Sequence, residues 1–294
     1  KINVLKNGTF KFSREKVYFE PKIKENIKQV RIIPSNNDIN KLSHYTIEIV
    51  YEKEIPEMKE KNERIAGIDI GVERLATVVN NIGIKPFAIN GRPAKSMNKY
   101  YNKMKAKFME YVGNRGISNS IKKLNRKRNN KIKHYFHNAS RIIVDWCKEH
   151  EIDTIIIGKN KDWKQESKMR KVENQNFVGL PLVKLIQQIE YKAEEYGIKT
   201  ITVEESYTSQ ASFLDNDDMP IYGKDNPNDF EFSGIRCNKK YNDHRRGLYE
   251  AGDTTLIHSD VNGALNIIRK LFPDKINSDL DYELLHPKII NIQI

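Results

Sequence analysis

Residues 1–55 alternate apolar and polar side chains over two stretches, with turn signals at residues 7–8 and 34–38. A period of two is typical of strands that bury one face. The apolar positions of the pattern are Phe10, Phe12, Val17, Phe19, Tyr45, Ile47, Ile49 and Tyr51. The pattern predicts a small antiparallel β unit, which ends in a charged linker at residues 56–64.

An apolar run that begins at residue 65 ends in Asp69, and an alternating strand follows after Gly71. This order is typical of a β-hairpin whose first strand ends in a carboxylate. The second and third strands are predicted at residues 76–80 and 85–89. Together the three strands make an antiparallel meander.

Helix and strand patterns alternate in the next part of the chain. A long helical region is predicted at residues 94–147, with a break at 113–120. Residues 152–158 are a continuous apolar run, which predicts a central parallel strand that is buried on both faces. A helix at 181–196 and a strand at 198–203 follow.

Residues 206–257 form a polar excursion that is rich in Asp, Asn and Gly, and Ser259 can cap a final helix. The order β-β-β-α-β-α-β, followed by a loop and a helix, predicts an α/β fold with a mixed sheet of the ribonuclease H-like type. Actin-like ATPases share the beginning of this order, so the order alone leaves both folds open.

We therefore expect three parts. Residues 1–60 form the β-rich segment, residues 61–272 form the ribonuclease H-like domain, and residues 273–294 form a tail with little signal. The domain carries a basic helical insertion at 94–147 and the excursion at 206–257.

The chain of 294 residues has a formal net charge of +12 and a pI of about 9.4, which favours a polyanionic partner such as nucleic acid. Cys147 and Cys237 are too few for a disulfide framework or a cysteine-based zinc site, and they fit a reducing cytoplasmic interior. No apolar run reaches membrane-spanning length and no signal peptide is visible. The chain begins at Lys1 without a methionine, so we expect a fragment of a longer protein.

Lysine and arginine crowd the predicted helical insertion, with tyrosines between them. A lysine-rich helix is usually a solvated face, but like charges at this density repel one another and are easier to explain beside phosphates. We therefore predict that the insertion contacts nucleic acid. The clustered basic residues are Lys122, Lys123, Arg126, Lys127, Arg128 and Lys131.

Acidic residues lie at the ends of three predicted elements. Asp69 ends the first strand of the domain, Glu204 or Glu205 ends the last strand, and Asp260 opens the last helix. Taken singly, each is an ordinary turn, strand-end or helix-start acid. Taken together in this fold order, they fit a site for Mg²⁺ or Mn²⁺, because carboxylates that share divalent cations suit phosphodiester hydrolysis.

Residues 65–270 resemble TnpB proteins, the transposon-encoded RNA-guided nucleases related to type V CRISPR effectors. The motifs that carry the resemblance are Gly67-Ile68-Asp69-Ile70-Gly71, His137-Asn138-Ala139-Ser140-Arg141, Tyr207-Thr208-Ser209-Gln210, Arg246-Gly247-Leu248 and Asp260-Val261-Asn262-Gly263-Ala264-Leu265-Asn266-Ile267. The resemblance implies a RuvC-like nuclease domain, a guide RNA and target double-stranded DNA as partners, and a β-rich segment that is the end of an RNA-binding wedge domain. It also implies that the three acidic positions are catalytic metal ligands.

The sequence departs from the family pattern in two places. Most of the family has a catalytic glutamate just after the buried strand, where this chain has Gly158. A branch with glycine there resembles this chain in carrying glutamate before Tyr-Thr-Ser, at Glu204 and Glu205. Alternation puts these two on opposite faces, so only one points inward, and we favour Glu204. The family's zinc knuckle is missing as well, because Cys237 stands alone, so no zinc is expected.

The resemblance adds residues that line the site or contact nucleic acid, namely His137, Tyr207, Ser209, Gln210 and Arg246. Ordinary surface pairing explains Arg245 and Arg246 equally well. For Trp163, core packing is a better explanation than stacking on a base.

We expect an RNA-guided, metal-dependent DNA endonuclease of a transposable element. The main alternative is a nuclease-dead relative that binds guide and DNA as a repressor, which Gly158 favours and the retained Asp69 and Asp260 oppose. An actin-like ATPase would need a second glycine-rich phosphate loop, and the sequence has none. A strand-transferring integrase would join DNA ends rather than cleave a target.

Overall fold

The computed structural model of the chain describes residues 2–4, 10–12, 18–19, 26–34, 45–58, 63–113, 116–159, 179–237 and 247–293. The chain divides into two units, Lys1–Ile55 and Pro56–Ile294. The division falls where the charged linker begins in the sequence.

Two small antiparallel sheets make up the described part of the first unit. One sheet contains β1 (Ile2–Val4), β2 (Phe10–Phe12) and β3 (Tyr18–Phe19) in that order. The other is the hairpin of β4 (Asn26–Pro34) and β5 (Tyr45–Glu52). The predicted β-rich character is confirmed for these strands, whereas Val17 and the turns at 7–8 and 35–38 lie outside the described residues.

A mixed sheet forms the centre of the second unit. Its first five strands along the chain are β6 (Ile65–Asp69), β7 (Arg74–Asn80), β8 (Phe87–Asn90), β9 (Thr154–Gly158) and β10 (Lys199–Val203). They lie in the order β10-β9-β6-β7-β8. Strands β6, β9 and β10 are parallel, and β7 runs antiparallel to both of its neighbours. The α/β class, the meander and the central parallel strand are confirmed.

The helices of the described part are α1 (Arg92–Val112), α2 (Asn119–Glu149), α3 (Leu182–Glu194) and α4 (Ser259–Leu271). The predicted break in the helical insertion separates α1 from α2. Gly113, which has a φ of 55°, ends α1 in the left-handed conformation that glycine adopts readily.

The helices cover both faces of the sheet because side chains alternate along each strand. Ile155 and Ile157 of β9 pack in the core formed with α2 and α3, whereas Ile156 packs in the core formed with α4. Helix α4 crosses β6 closely, since a Cβ at Gly67 would lie 2.7 Å from the Ala264 carbonyl oxygen. This close crossing brings the start of α4 to the end of β6.

The start of α4 corrects one prediction. His258, rather than Ser259, caps the helix, because its ring Nδ1 accepts a hydrogen bond from the Asp260 N–H at 3.2 Å. The Ser259 hydroxyl instead donates to the Gly247 carbonyl at 2.9 Å. Both residue types are able to accept at a helix start, so the sequence did not separate them.

Short strands lie where the sequence carries no strand signal. The excursion contains a small antiparallel sheet of β11 (Ile235–Arg236), β12 (Leu248–Glu250) and β13 (Leu256–His258). In the tail, β14 (Lys288–Ile290) pairs in parallel with β8 and becomes the sixth strand of the central sheet. Strands of two or three residues are too short to show a period.

Candidate active site

The sheet topology brings acidic residues to one edge. Because β6, β9 and β10 are parallel, their carboxyl ends meet there, with Ile68 opposite Ile157 and Gly158 opposite Val203. Asp69 is the last residue of β6, and Glu204 and Glu205 follow β10 directly. Asp260 lies in the first turn of α4, whose start is at the same edge.

Asp69 lies in the field of two other carboxylates. Burial, and after it the negative charges of Glu205 and Asp260, raises the pKa of Asp69 well above its usual value. The side chain also lies over the first turn of α4, because Asp69 Oδ2 is 3.2 Å from the position that a Cβ would take at Gly263. The three carboxylates are therefore one electrostatic unit, which we call the carboxylate cluster.

Gly158 leaves room for Glu205. A Cβ built on Gly158 would lie 2.5 Å from Glu205 Oε2 and 3.2 Å from the Glu205 Cβ. No side chain fits at residue 158 while Glu205 keeps this position. A side chain at residue 158, the usual position of the glutamate, and the side chain of Glu205 would therefore occupy the same space.

Glu204 points to the other side of its strand and is engaged there. Its Oε1 accepts a hydrogen bond from the Ser206 N–H at 2.9 Å, and its Oε2 lies 3.5 Å from Lys270 Nζ. The side chain faces an open cavity of about 550 Å³ that Met219 and Tyr222 also line. The geometry therefore favours Glu205 as the third carboxylate, against the preference for Glu204 that we drew from the sequence.

Arg236 belongs to the site, although the sequence analysis did not select it. Its guanidinium Nη2 lies 3.4 Å from Asp260 Oδ1, and its charge lowers the pKa of Asp69 against the stronger effects that raise it. A single arginine in a polar loop carries no signal in the sequence, and β11, on which it lies, has two residues.

His258 supports Asp260 from the residue that caps α4. Burial lowers the pKa of His258, which opposes the effect of the Asp260 charge. A neutral ring is required for the observed cap, since Nδ1 accepts the Asp260 N–H. The cap fixes the backbone from which the Asp260 carboxylate projects.

The donor set of the cluster fits a hard divalent cation, because three carboxylates supply only oxygen ligands. Their mutual repulsion, visible in the raised pKa of Asp69, is relieved by a bound cation. Among the described residues, however, no three His, Cys, Asp or Glu side chains already lie close enough together to hold a metal ion. The three carboxylates would therefore have to approach one another when an ion binds.

Two buried asparagines of α4 fix the turn that follows Glu205. Asn262 accepts a hydrogen bond from the Phe213 N–H at 2.9 Å and donates to the Ala211 carbonyl at 2.9 Å. Asn266 donates to the carbonyls of Thr208 and Ala211 at 2.9 and 2.8 Å. The asparagines of the Asp260–Ile267 motif thus position the segment that carries the third carboxylate.

The predicted turn residues lie directly beyond this carboxylate. Tyr207 has a φ of 69°, a left-handed conformation that is uncommon outside glycine. Ser209 and Gln210 are exposed, whereas Thr208 directly before them is buried. Arg246, Arg245 and Trp163, for which we predicted contacts or packing, lie outside the described residues.

The basic residues predicted to bind nucleic acid separate into two groups. The exposed group on α2 consists of Lys122, Lys123, Arg126, Lys127 and Lys131. Arg128 is instead held within the fold, because its Nη2 donates to Asn98 Oδ1 at 2.8 Å and to the Gly179 carbonyl. His137 packs between α2 and α3, with its carbonyl accepting from Lys192 Nζ at 2.8 Å and its pKa lowered by burial.

The positive charge of the chain is concentrated in α1 and the first half of α2. Residues 92–133, which we call the basic hairpin, hold 14 of the 51 Lys and Arg and one of the 39 Asp and Glu. The rest of the chain has 37 basic and 38 acidic residues, so the hairpin accounts for the whole net charge of +12. Of the described residues 99–131, none belongs to the core of the central sheet.

Within the described residues, no helix combines the length and the apolar character that crossing a membrane requires.

Two family models match the chain. The one described as a probable transposase, OrfB_IS605, matches residues 48–164, and the one described as a Cas12f1-like TNB domain matches residues 183–267. A curated relative, the TnpB-like protein ORF457 of Acidianus two-tailed virus, is 25% identical over 256 residues, which are 82% of this chain and 50% of that protein.

A solved structure with a similar fold is the cryo-EM structure of a Cas12f1-sgRNA-target DNA complex, with a TM-score of 0.51 and 18% identity. The match covers 71% of this chain and 50% of that chain. The chain thus spans about half the length of these relatives. The likeness shows the fold.

The central sheet and its helices have the ribonuclease H-like arrangement that the element order predicts. The two family matches and the curated relative make the chain similar to TnpB proteins over most of its length. The resemblance that the sequence motifs indicated is confirmed.

Proposed function

We propose that this chain is the nuclease part of an RNA-guided DNA endonuclease of a transposable element. The observation that carries the proposal is the carboxylate cluster of Asp69, Glu205 and Asp260 at the carboxyl edge of the central sheet. The similarity to TnpB proteins supports the same conclusion.

The three carboxylates would hold Mg²⁺ or Mn²⁺, with Glu205 taking the place that we first gave to Glu204. When bound, such ions activate a water molecule and stabilise the leaving oxygen of a phosphodiester. Arg236 faces the same site, where its guanidinium can bind a phosphate through two parallel N–H···O hydrogen bonds. His258 keeps Asp260 in place through the helix cap.

Guide RNA and target double-stranded DNA are the proposed partners. The relative with the similar fold was solved with an sgRNA and a target DNA. The basic hairpin supplies exposed positive charge for the backbones of such partners. The first unit, with its small antiparallel sheets, is proposed to grip guide RNA as a wedge domain does.

A nuclease-dead, RNA-guided repressor is the second candidate function. Gly158 favours it, because the usual catalytic glutamate is absent there. Glu205 opposes it, since its carboxylate lies in the space that a side chain at residue 158 would fill.

Cleavage of target DNA by the natural protein with its guide RNA and Mg²⁺ tests the proposal. We expect Asp69→Ala and Glu205→Gln to lose cleavage by about a thousandfold, since each removes a ligand worth several kcal/mol. Glu204→Gln is the matched control and should stay within about threefold of the wild type, a change below about 1 kcal/mol.

Three other results are informative. A large loss in Glu204→Gln with normal cleavage in Glu205→Gln would reverse our choice of ligand. Guide-dependent binding of target DNA without cleavage by the wild type would favour the repressor. Joining of DNA ends in place of cleavage would indicate an integrase.

A further inference from the structure

One face of α1 carries two exposed tyrosines and two lysines in a line. Tyr100, Lys103, Lys107 and Tyr111 fall within an arc of about 80° on a helix of 3.6 residues per turn. The side chains of Tyr100 and Tyr111 are 61% and 78% exposed. We call these four residues the outer stripe of α1.

The outer stripe faces away from α2. Asn98 marks the opposite side of the helix, because its Oδ1 accepts a hydrogen bond from Arg128 Nη2 on α2 at 2.8 Å. The buried residues of α1 are Ala94 and Asn98, so no side chain of the helix beyond residue 98 is buried. The stripe is therefore open surface of the basic hairpin.

The lysines of the stripe form no ion pair in the described part of the chain. No carboxylate there forms an ion pair with Lys103 or Lys107, or with Lys99 one turn before them. Lysines spaced four apart on a helix repel one another. Glu110, three residues after Lys107, is the one acidic residue of the basic hairpin. A polyanion would relieve the repulsion that remains among the lysines.

The tyrosines indicate which form of nucleic acid fits. Exposed aromatic rings stack on the faces of unpaired bases, and this contact accepts every base. A duplex hides those faces within its own stack, so it would use the lysines but not the tyrosines. Tyr100 and Tyr111 are about 16 Å apart along the axis, which is a span of several nucleotides.

The position of α1 indicates which single-stranded nucleic acid can reach the outer stripe. Strand β7 pairs Thr77 with both Asp69 and Ala88, so the end of β8 lies at the acidic edge of the sheet. Helix α1 begins there, since the Gly91 N–H donates to the Glu73 carbonyl at 2.9 Å and Arg92 and Lys95 pair with the Glu73 carboxylate. Helix α1 therefore begins at the same edge of the sheet as the carboxylate cluster, two strands away from β6.

We propose that the outer stripe of α1 binds a single strand of substrate DNA, with bases stacked on Tyr100 and Tyr111 and phosphates on Lys103 and Lys107. The identity of this ligand rests on the proposed nuclease function, whereas its binding does not require metal or guide. A guide RNA strand is the competing occupant, and the experiment separates the two.

The test measures binding of labelled oligonucleotides by fluorescence anisotropy, using the full chain in a chelator so that no cleavage occurs. The probes are a 20-nucleotide oligothymidylate, an oligouridylate of the same length, a matched DNA duplex and a 20-residue abasic DNA strand; their length of about 20 allows for site sizes up to about 16 nucleotides. Salt concentration is varied for each probe.

Tyr100→Ala combined with Tyr111→Ala should weaken oligothymidylate binding by about tenfold or more, because two stacked bases are lost. The double variant should bind the duplex and the abasic strand within about twofold of the wild type, and its salt dependence should not change, since it loses no charge. Lys103→Gln with Lys107→Gln should instead reduce the slope of log K against log salt by about 1.4 for single-stranded DNA.

Tyr282→Ala is the matched control, because Tyr282 is 76% exposed and lies outside the basic hairpin. It should bind all four probes like the wild type. The proposal is overturned if the double tyrosine variant binds oligothymidylate normally, or if it loses duplex and single strand equally. It is also overturned if the double tyrosine variant loses more affinity for oligouridylate than for oligothymidylate, because that result would assign the stripe to guide RNA.

The outcome is independent of the nuclease assay. Normal oligonucleotide binding by the double tyrosine variant would rule out the outer stripe as a binding site and would not affect the proposed nuclease activity. Absence of cleavage in the wild type, together with a tyrosine-dependent single-strand site, would remove the nuclease function and leave the binding surface.

Discussion

The carboxylate cluster and the basic hairpin are opposite in charge and opposite in construction. The cluster gathers Asp69, Glu205 and Asp260 from three elements that are far apart in sequence, and it holds them against the core. The basic hairpin is one continuous stretch of 42 residues with exposed lysines, and of its described residues 99–131 none belongs to the core of the sheet.

The two regions differ in how strongly a single charge interacts with its neighbours. Burial first, and then the charges of Glu205 and Asp260, raises the pKa of Asp69, and such charges interact strongly because little water lies between them. Exposed charges more than about 8–10 Å apart are screened by salt. We therefore expect large effects from single substitutions in the cluster and small, cumulative effects in the hairpin.

Moving the glutamate back to β9 is the strongest test of the cluster. Glu205→Ala alone should reduce cleavage by about a thousandfold, since it removes one ligand. Adding Gly158→Glu should recover at least about tenfold, or 1.4 kcal/mol, because a Cβ at residue 158 lies 2.5 Å from the present position of Glu205 Oε2. Guided cleavage of target DNA under single-turnover conditions measures both.

Gly158→Gln in the Glu205→Ala background is the matched control, since it has the same size and no charge. Ile267 Cδ1 also lies 2.5 Å from the Cβ position at residue 158, so its side chain must rotate in both variants. Equal activity of the Glu and Gln variants would mean that β9 cannot supply the third carboxylate.

Arg236 should be the next most sensitive residue. Arg236→Ala is expected to slow cleavage by about a hundredfold, because it removes a positive charge aimed at the cluster, and such donors are worth about 2.7–4 kcal/mol. Arg236→Lys should keep part of the activity. Arg141→Ala, which removes an arginine paired with Asp145 and Glu195 on the helices, is the control and should cleave normally. An active Arg236→Ala enzyme would exclude Arg236 from catalysis.

Long periodic elements were predictable from the sequence, and single contacts were not. The buried strand at residues 152–158, the break between α1 and α2 and the helix α3 all follow from patterns of seven or more residues. The same patterns predict where strands end and helices begin, and so they predicted which elements carry the acidic residues of the site.

The choice between Glu204 and Glu205 shows where sequence reasoning stops. Alternation establishes that they point to opposite faces, but the contact that engages Glu204 comes from Lys270, 66 residues away. Arg236 depends in the same way on a two-residue strand inside a polar excursion. These assignments need the three-dimensional packing, since nothing local distinguishes one residue from its neighbour.

Arg128 and Lys127 are adjacent residues that should separate stability from binding. Arg128→Gln is expected to lower the free energy of unfolding by about 1–3 kcal/mol, because hydrogen bonds of a charged group to Asn98 and Gly179 are lost. Lys127→Gln should leave stability within about 0.5 kcal/mol and reduce the salt slope of duplex binding by about 0.9. Urea melts and salt-dependent binding measure the two effects; the reverse assignment would place Arg128 on the nucleic-acid surface.

The smallest effect that we expect from the cluster concerns the pH dependence of the stability of the metal-free protein. The pKa of Asp69 is raised in the folded state, mainly by burial and then by Glu205 and Asp260, whereas the unfolded chain ionises near pH 3.9. Between these two pKa values the folded state binds more protons than the unfolded state, so stability falls as the pH rises and the loss is complete above the folded pKa. Asp69→Asn cannot ionise and should remove this fall.

In a chelator at pH 8 we expect Asp69→Asn to be more stable than the wild type, which a higher Tm would show; each kcal/mol raises Tm by about 2–4 °C for a unit of this size. Glu204→Gln, whose carboxylate is paired with Lys270, should be no more stable than the wild type. Mg²⁺ should narrow the difference, because it stabilises the folded state that binds it. If Asp69→Asn melted below the wild type at pH 8 without metal, the raised pKa of Asp69 would be contradicted, and the case for a cation site at this edge would lose its electrostatic basis.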